Sequence, residues 1–233
     1  MELGYGTTGL TDWARRVPGR VHRGGGRNLA PLPADVDHIV VAALPISGLT
    51  AWQGLFDHAR LAAGHTVLVH GAAGAVGSIA VQLAREAGAY VIGTGRASDR
   101  DVVLGLGARA FVDTGDLGQV GEVDVVFDVI GGQVLERSAE LVRPGGTQVT
   151  VAQPLDGQAV FFVVEPNRAQ LAELAERVRT GRLTLRRPPR SPQPGGPPAR
   201  RSSRWSRLSR SSAQPPGRRG AWDRWAPTRA APG

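Results

Sequence analysis

One stretch limits what this chain can fold into more than any other: Thr66 to Ala84, TVLVHGAAGAVGSIAVQLA. A β-branched run from Thr66 to Val69 meets a loop with glycines at Gly71, Gly74 and Gly77, and a segment of helical period begins near Ala75. Branched side chains suit a strand, and a short apolar run closed by glycine reads as a buried one. Strand, glycine turn and helix N-terminus are the three parts of a cradle for a dinucleotide pyrophosphate. Gly71 permits the tight turn, Gly74 lets the backbone approach the phosphates, and Gly77 lets the helix pack closely on the strand. The helix's unpaired N–H groups and the positive end of its dipole then face the anion. The bland reading of these glycines is a structural turn without a ligand; the flanking strand and helix favour the cradle.

The rest of the chain repeats the alternation of strand and helix. DHIVVAALPISGLTAWQGLF, from Asp37, reads as helical with a break at Pro45. Short apolar strands are expected at Ala89–Thr94, Ala108–Asp113, Val123–Gly132, Thr147–Ala152 and Gln158–Val164, after the first at Thr66–Val69. Between them, SDRDVVLGLGA reads as a helix capped by Ser98 with Asp99 and Asp101 in its first turn. QVLERSAELV is an amphipathic helix stopped by Arg143-Pro144-Gly145-Gly146, and NRAQLAELAERVRTGRL closes the ordered part with Gly181 as its terminator. Strands apolar on both faces, separated by helices, imply an α/β fold: a Rossmann-type, doubly wound, parallel six-stranded sheet with helices on both faces. The organisation read from this is an irregular segment 1–28, a cofactor domain 29–183 and a disordered Arg/Pro/Ser-rich tail 184–233.

Charge must be split by position before it is interpreted. The formal net charge of +8 comes from a tail holding twelve of the 28 basic residues and ten of the 17 prolines beyond Leu185, with Asp223 its one acid. The preceding 185 residues are mildly acidic, so the globular part is not a nucleic-acid surface. The tail has too few aliphatic residues to offset its chain entropy. Its RRSSRWSRLSRSS run resembles an RNA-binding tail in which Trp205 would stack on a base; the disfavoured RNA reading rests on it. The alternative is that frame-shifted GC-rich DNA yields the same Arg, Pro, Gly, Ala and Ser mixture, and Ala14–Gly26 reads the same way. The chain has no cysteine, which excludes disulfides and thiolate chemistry. The histidines His22, His38, His58, His65 and His70 show no metal-ligand spacing, so no metal is expected; His70, just before the glycine loop, could touch a cofactor, but packing or solvation is the favoured reading. MELGYGTTGL has neither a basic start nor an apolar core, and no apolar run is long and unbroken enough for a membrane span. A cytoplasmic protein follows as the default expectation.

LAPLPADVDH, AALPISGLTAWQGLFDHA, VLVHGAAGAVGS, VIGT, LGA, VDVVFDVIGG, RPGG and FFVVEPNRAQLAEL stand in this order between Leu29 and Leu183. In order and spacing they resemble the zinc-independent quinone oxidoreductase branch of the medium-chain dehydrogenase/reductase superfamily. That resemblance implies an NADP-dependent oxidoreductase moving hydride between NADPH and a quinone or other carbonyl or enone substrate. It also implies a GroES-like catalytic domain, of which Gly9–Trp13 (GLTDW) resembles the end, so turnover is expected to be impaired. A non-catalytic NADPH-binding module is the alternative.

The expected NADP(H)-binding residues divide by origin. From the residues themselves come Gly71, Gly74 and Gly77. The region after the second strand contributes Thr94, Arg96, Ser98 and Arg100, where no carboxylate stands at Gly95 to accept from a ribose 2′-OH and two arginines would welcome a 2′-phosphate. The resemblance adds Thr50 near the nicotinamide or its phosphates, and Ala75 and Val76 with Gly77 at the pyrophosphate. It also places Val129, Ile130 and Gly131 beside the nicotinamide ribose, and Phe161, Phe162 and Val163 around the carboxamide; ordinary core packing is the alternative for Val129, Ile130 and the two phenylalanines. No catalytic residue is assigned, since hydride transfer depends chiefly on placement. Asp124 and Asp128, taken together as a strand end, read as structural. The apolar sixth strand is expected at the sheet edge, pairing with its mate in a homodimer, and a small-molecule substrate is the other expected partner.

Overall fold

The computed structural model describes residues 4–6, 29–31, 41–42, 44–155, 157 and 159–185. All of them fall in Met1–Pro188, one of the chain's two compact units. Most of the expected irregular segment and the tail from Arg186 lie outside the described residues, as does Asp37–Val40 of the expected first helix.

Gly4–Gly6 (β1) and Leu29–Pro31 (β2) form a small antiparallel ladder, with Tyr5 opposite Ala30. β1 lies inside the segment read as irregular. A three-residue strand of glycine and tyrosine has no periodicity to announce it; its hydrogen bonds to β2 define it. A helix of mixed pitch follows: a π-type stretch Leu44–Gly48, an α-helical turn Leu49–Trp52 (α1) and a second π-type stretch Gln53–His58. Pro45 stands in the first turn, where a missing N–H leaves nothing unpaired, and the expected break falls before it, at the turn residue Ala42.

The main sheet contains Thr66–Val69 (β3), Tyr90–Gly95 (β4), Ala110–Asp113 (β5), Val123–Asp128 (β6), Val142–Thr150 (β7) and Val160–Phe161 (β8). Its order is β5-β4-β3-β6-β7-β8, with every pair parallel. The six strands run outward in both directions from the first, the doubly wound order whose reversal opens a crevice at the carboxyl ends of β3 and β6. The connecting helices are Ala75–Glu86 (α2), Arg100–Gly105 (α3) and Gly132–Ser138 (α4), and Arg168–Arg179 (α5) closes the sheet.

Side chains alternate across the strands as a two-sided sheet demands. Val67, Val69, Val125 and Phe127 enter the larger apolar cluster with Ile79, Leu83, Leu171 and Leu174. Leu68 and Val126 point to the opposite face, where Val120, Val123 and the partly buried Ile92, Leu141 and Val142 cover them. Residues Ile79 to Ala84 of α2 are buried without a break, so this helix lies between layers rather than on the surface. Burying each of its large aliphatic side chains is worth about 1.5–3 kcal/mol.

Three local expectations are corrected. Arg143-Pro144-Gly145-Gly146 does not separate helix from strand; it bulges within β7, which pairs with β6 at Val142 and again from Thr147. Gly145, at φ +81°, supplies the left-handed residue of that bulge. Among the described residues the sixth strand covers Val160 and Phe161 of the seven expected, and the Phe162 N–H adds one bond to the Thr150 carbonyl at 3.3 Å; Gln158 lies outside the described residues. Ser98 does not cap α3: a 3-10 turn Ala97–Asp99 precedes that helix, and the Asp99 carboxylate reaches back to accept from the Arg96 N–H at 3.1 Å. The ordered chain also continues past Leu183, since Thr184 and Gln82 exchange hydrogen bonds through the Gln82 amide at 2.8 and 3.0 Å.

The helix Gln53–His58 approaches the sheet over Gly54, where an added Cβ would lie 2.3 Å from the Phe127 ring. Phe127 is fully buried and has nowhere to move. Gly54→Ala is therefore expected to destabilise the fold by about 1–3 kcal/mol, outweighing the roughly 1 kcal/mol that alanine gains in helix propensity. A urea midpoint equal to or above that of the parent chain would refute this.

Candidate cofactor site

The glycine loop has the geometry its spacing demands. Gly71 adopts φ +65°, which a side chain would strain. A Cβ on Gly77 would stand 2.2 Å from the Gly71 carbonyl oxygen, so the first turn of α2 can lie against the loop only as glycine. Gly74 is the N-cap of α2 in extended backbone and offers no side chain to the first-turn N–H groups. Ala75, Val76 and Gly77 thus present their N–H groups at the end of a twelve-residue helix, where the dipole favours an anion.

The opposite wall is the loop after β6. A Cβ on Gly71 would meet the Val129 and Ile130 side chains, each at 2.9 Å, so the two loops face each other across the crevice. Ile130 is half exposed and Val129 partly buried. Asp128 shapes this loop from below. Its fully buried carboxylate accepts from the N–H groups of Ile130 at 3.2 Å and Gly131 at 3.0 Å, and from the Thr150 hydroxyl at 2.9 Å. Gly131 and Gly132 follow at φ +77° and +61°. Asp128 is structural, as read; Asp124 lies at the other end of β6, accepting from the Thr66 N–H at 2.7 Å and pairing with Arg143.

At the end of β4, Arg96 and Ser98 are exposed and Arg100 lies over the Phe111 ring at 5.8 Å. A carboxylate is present here after all: Asp99 folds back so that a Cβ on Gly95 would meet its oxygen at 3.1 Å. Thr94 turns away from the crevice, its buried hydroxyl bonded to His70 and its carbonyl accepting from the Ala72 N–H at 2.9 Å.

The remaining expected residues are spread out. Thr50 is buried in α1. Phe161 and Val163 are exposed, whereas Phe162 turns inward and packs on His58 with ring centroids 4.3 Å apart. Phe162, Val163, His58, Asp57 and Glu165 border an open cavity of about 500 Å³. Gln53 holds its rim, donating to the Glu165 carbonyl at 2.8 Å and accepting from the Glu165 N–H at 2.9 Å. Sequence reading passed over Gln53; its one signal is an amide on an otherwise apolar helix face.

His70 is the buried polar group that the sequence left ambiguous. Its Nδ1 lies 2.8 Å from the Thr94 hydroxyl and its Nε2 2.7 Å from the Ser138 hydroxyl. Ser138 gives its single hydrogen to the Val134 carbonyl at 2.6 Å. Nε2–H therefore donates to Ser138, and Nδ1 accepts from Thr94: a neutral ring with both nitrogens satisfied. Burial pushes its pKa down to about 4 from the ordinary 6.5, against the opposing pull of Asp128.

Among the described residues no group of three His, Cys, Asp or Glu side chains is placed to hold a metal ion. None of the described helices is long and apolar enough to cross a membrane.

Comparison with known proteins agrees with the fold. Residues 75–176 match the family described as zinc-binding dehydrogenase. Over 139 residues the chain is 42% identical to the spectinabilin polyketide synthase system protein NorB of Streptomyces orinoci, covering 54% of this chain and 6% of that one. It is 36% identical over 135 residues to the quinone oxidoreductase of Rattus norvegicus, covering 52% and 40% of the two chains. The solved quinone oxidoreductase from Coxiella burnetii superposes with a TM-score of 0.65 at 28% identity, covering 69% of this chain and 55% of that one. The fold is the one these dehydrogenases share over the matched residues. Over the part it matches, the chain is similar to quinone oxidoreductases of the medium-chain dehydrogenase/reductase superfamily. It spans about half the length, or less, of these relatives. The zinc for which that family is described finds no ligand set among the described residues.

The neutral ring of His70 makes stability depend on acid. A group whose folded pKa lies below its unfolded value stabilises fully above the unfolded pKa and loses that contribution as pH falls. Here the loss runs from pH 6.5 down to about 4 and amounts to about 3 kcal/mol at most. Urea midpoints should be flat above pH 7 and fall between pH 6.5 and 5, and His70→Gln should flatten that window. An equal slope in both proteins would refute the assignment.

Proposed function

We propose that this chain binds NADP(H) in the crevice between β3 and β6 and serves hydride transfer between the nicotinamide and a quinone or other carbonyl or enone substrate. The observation that carries the reading is the glycine cradle: Gly71 and Gly77 stand where side chains would collide with the facing loop and with the loop's own carbonyl. The uncapped N-terminus of α2 opens directly beside them. When bound, the nicotinamide supplies or accepts the hydride. The chain's own residues hold the cofactor still. The N–H groups of Ala75, Val76 and Gly77 meet the pyrophosphate, Val129, Ile130 and Gly131 line the nicotinamide ribose side, and Phe161 and Val163 border the carboxamide. Thr94 supports the loop from beneath, and Phe162 supports its neighbours from the core. Rate enhancement then comes from placement of donor against acceptor, with no acid or base required of the described residues. Titration with NADPH, followed by assay of quinone reduction, tests the reading; absence of NADPH binding would overturn it.

Arg96, Ser98 and Arg100 favour the 2′-phosphate form. Asp99 does not oppose it, because its carboxylate is already engaged with the Arg96 N–H. Gly95→Asp would crowd Asp99, so the arginines give the better test. NADPH is expected to bind more tightly than NADH, and Arg96→Ala with Arg100→Ala together should erase about tenfold or more of that preference. Equal dissociation constants for the two cofactors in the parent chain would sink the assignment.

A homodimer across β8 belongs to the same reading. Val160, Phe161 and Val163 are 42%, 40% and 52% exposed along the sheet's edge, an apolar row that invites pairing. Because Phe162 faces inward, the informative substitution is Phe161→Lys, which should shift a dimer toward monomer in light scattering at tens of micromolar. A monomeric parent chain under those conditions would show that the edge is covered otherwise.

A further inference from the structure

The buried ring of His70 touches more of the cradle's supports than any packing role requires. It follows β3 directly, and its backbone N–H extends the ladder to the Phe127 carbonyl at 2.9 Å. On one side its Nδ1 meets Thr94 at 2.8 Å, and Thr94 in turn receives the Ala72 N–H of the glycine loop. On the other side its Nε2 meets Ser138 at 2.7 Å, in the helix α4 that begins just after Val129–Gly131. Gly71, the pivot of the loop, is the next residue in the chain. One rigid, planar group therefore joins the glycine loop, the end of β4 and the helix behind the facing loop. Asp128 on β6 is the charged group whose field the ring feels; the other two partners are hydroxyls.

We infer that His70 is a positioning residue for cofactor binding: by bonding Thr94 and Ser138 at once, it fixes the spacing between the two loops that face each other across the crevice. It makes no contact with the cofactor itself, since it is wholly enclosed. A core residue of equal size without polar atoms would fill the space but leave the Thr94 hydroxyl without its acceptor and the Ser138 oxygen without its donor. Thr94 and α4 would then be free to shift relative to each other. The inference rests on the cofactor reading for its consequence in binding, and on the hydrogen bonds alone for its consequence in loop order.

The experiment compares the parent chain with His70→Leu, which removes both bonds, and His70→Gln, whose amide can both donate and accept. Two quantities are measured at 25 °C: the NADPH dissociation constant, and amide hydrogen exchange along the ligand-free chain. His70→Leu is expected to weaken NADPH binding about tenfold and to quicken exchange selectively over residues 71–77 and 129–138. His70→Gln should restore most of both. Should His70→Leu fail to fold, Ser138→Ala, which deletes only the Nε2 partner, should give a smaller change confined to the same two segments. Exchange quickened evenly over the whole sheet, or failure of His70→Gln to restore the two segments, would reduce His70 to an ordinary core residue and overturn the inference. A parent chain that binds no NADPH refutes the cofactor reading instead, and the exchange pattern then decides the role of His70 on its own.

Discussion

The arrangement depends on how closely α2 can lie against the loop that precedes it. The limit is set at Gly77, where a Cβ would come within 2.2 Å of the Gly71 carbonyl oxygen. A separation that short cannot be relieved by a rotamer change, because the obstacle is backbone. With glycine there, the helix drops onto β3 and buries Ile79 through Ala84 on nearly every side. The axis of α2 then fixes where the helix Leu44–His58 and α5 can pack, since both share its apolar cluster. The same closeness aims the free N–H groups of the first turn into the crevice. Core packing and the candidate anion site are consequences of one missing methyl group.

The second tie is made of long-range polar contacts around α5. Arg177 lies over the Trp52 ring at 5.0 Å and pairs with Glu86 at 2.7 Å and with Glu173. An exposed ion pair is worth about 1 kcal/mol at most, so charge alone is a weak account of this cluster. Its side chain is only 15% exposed, and its value lies in fixing direction: the guanidinium plane must satisfy an acid on α2 and an aromatic face on α1 together. Gln53 does the equivalent at the opposite end of α5, clamping the Glu165 backbone while its amide also reaches Gln170 at 2.9 Å. The closing helix is held at both ends by groups more than ninety residues away in sequence.

What the sequence disclosed and what it hid divide along that distance. The glycine spacing, the strand positions and the parallel order are local signals, and the sheet follows them from β3 to β7. The facing of Phe161 and Phe162 was hidden because QAVFFVV is apolar at every position from Ala159, so no period of two marks a buried side. Asp99 could be seen as a first-turn acid but not as the group that folds back over Gly95, which depends on the 3-10 turn. Arg143–Gly146 had every mark of a turn; that it lies as a bulge within a strand depends on the register of β6. His70 was the least legible. Its partners lie 24 and 68 residues away, and nothing near it distinguishes a satisfied core imidazole from one facing a ligand.

The two buried titratable side chains at the carboxyl ends of β3 and β6 are handled by opposite means. Asp128 is surrounded by donors, two backbone N–H groups and a hydroxyl, which a carboxylate can use in full. His70 is given hydroxyls instead, one to accept from and one to donate to, an arrangement that matches a neutral imidazole and gains nothing from a second proton. Holding the ring neutral has a consequence for the anion site above it. A buried cation at this place would draw a pyrophosphate by charge, over a distance and with little regard to geometry. Without it, attraction at the glycine loop comes from backbone N–H groups at the end of α2, which act only over hydrogen-bonding distance and only when aligned. Under the proposed cofactor reading such a site would recognise its ligand by position, which is what gives walls held from below their value.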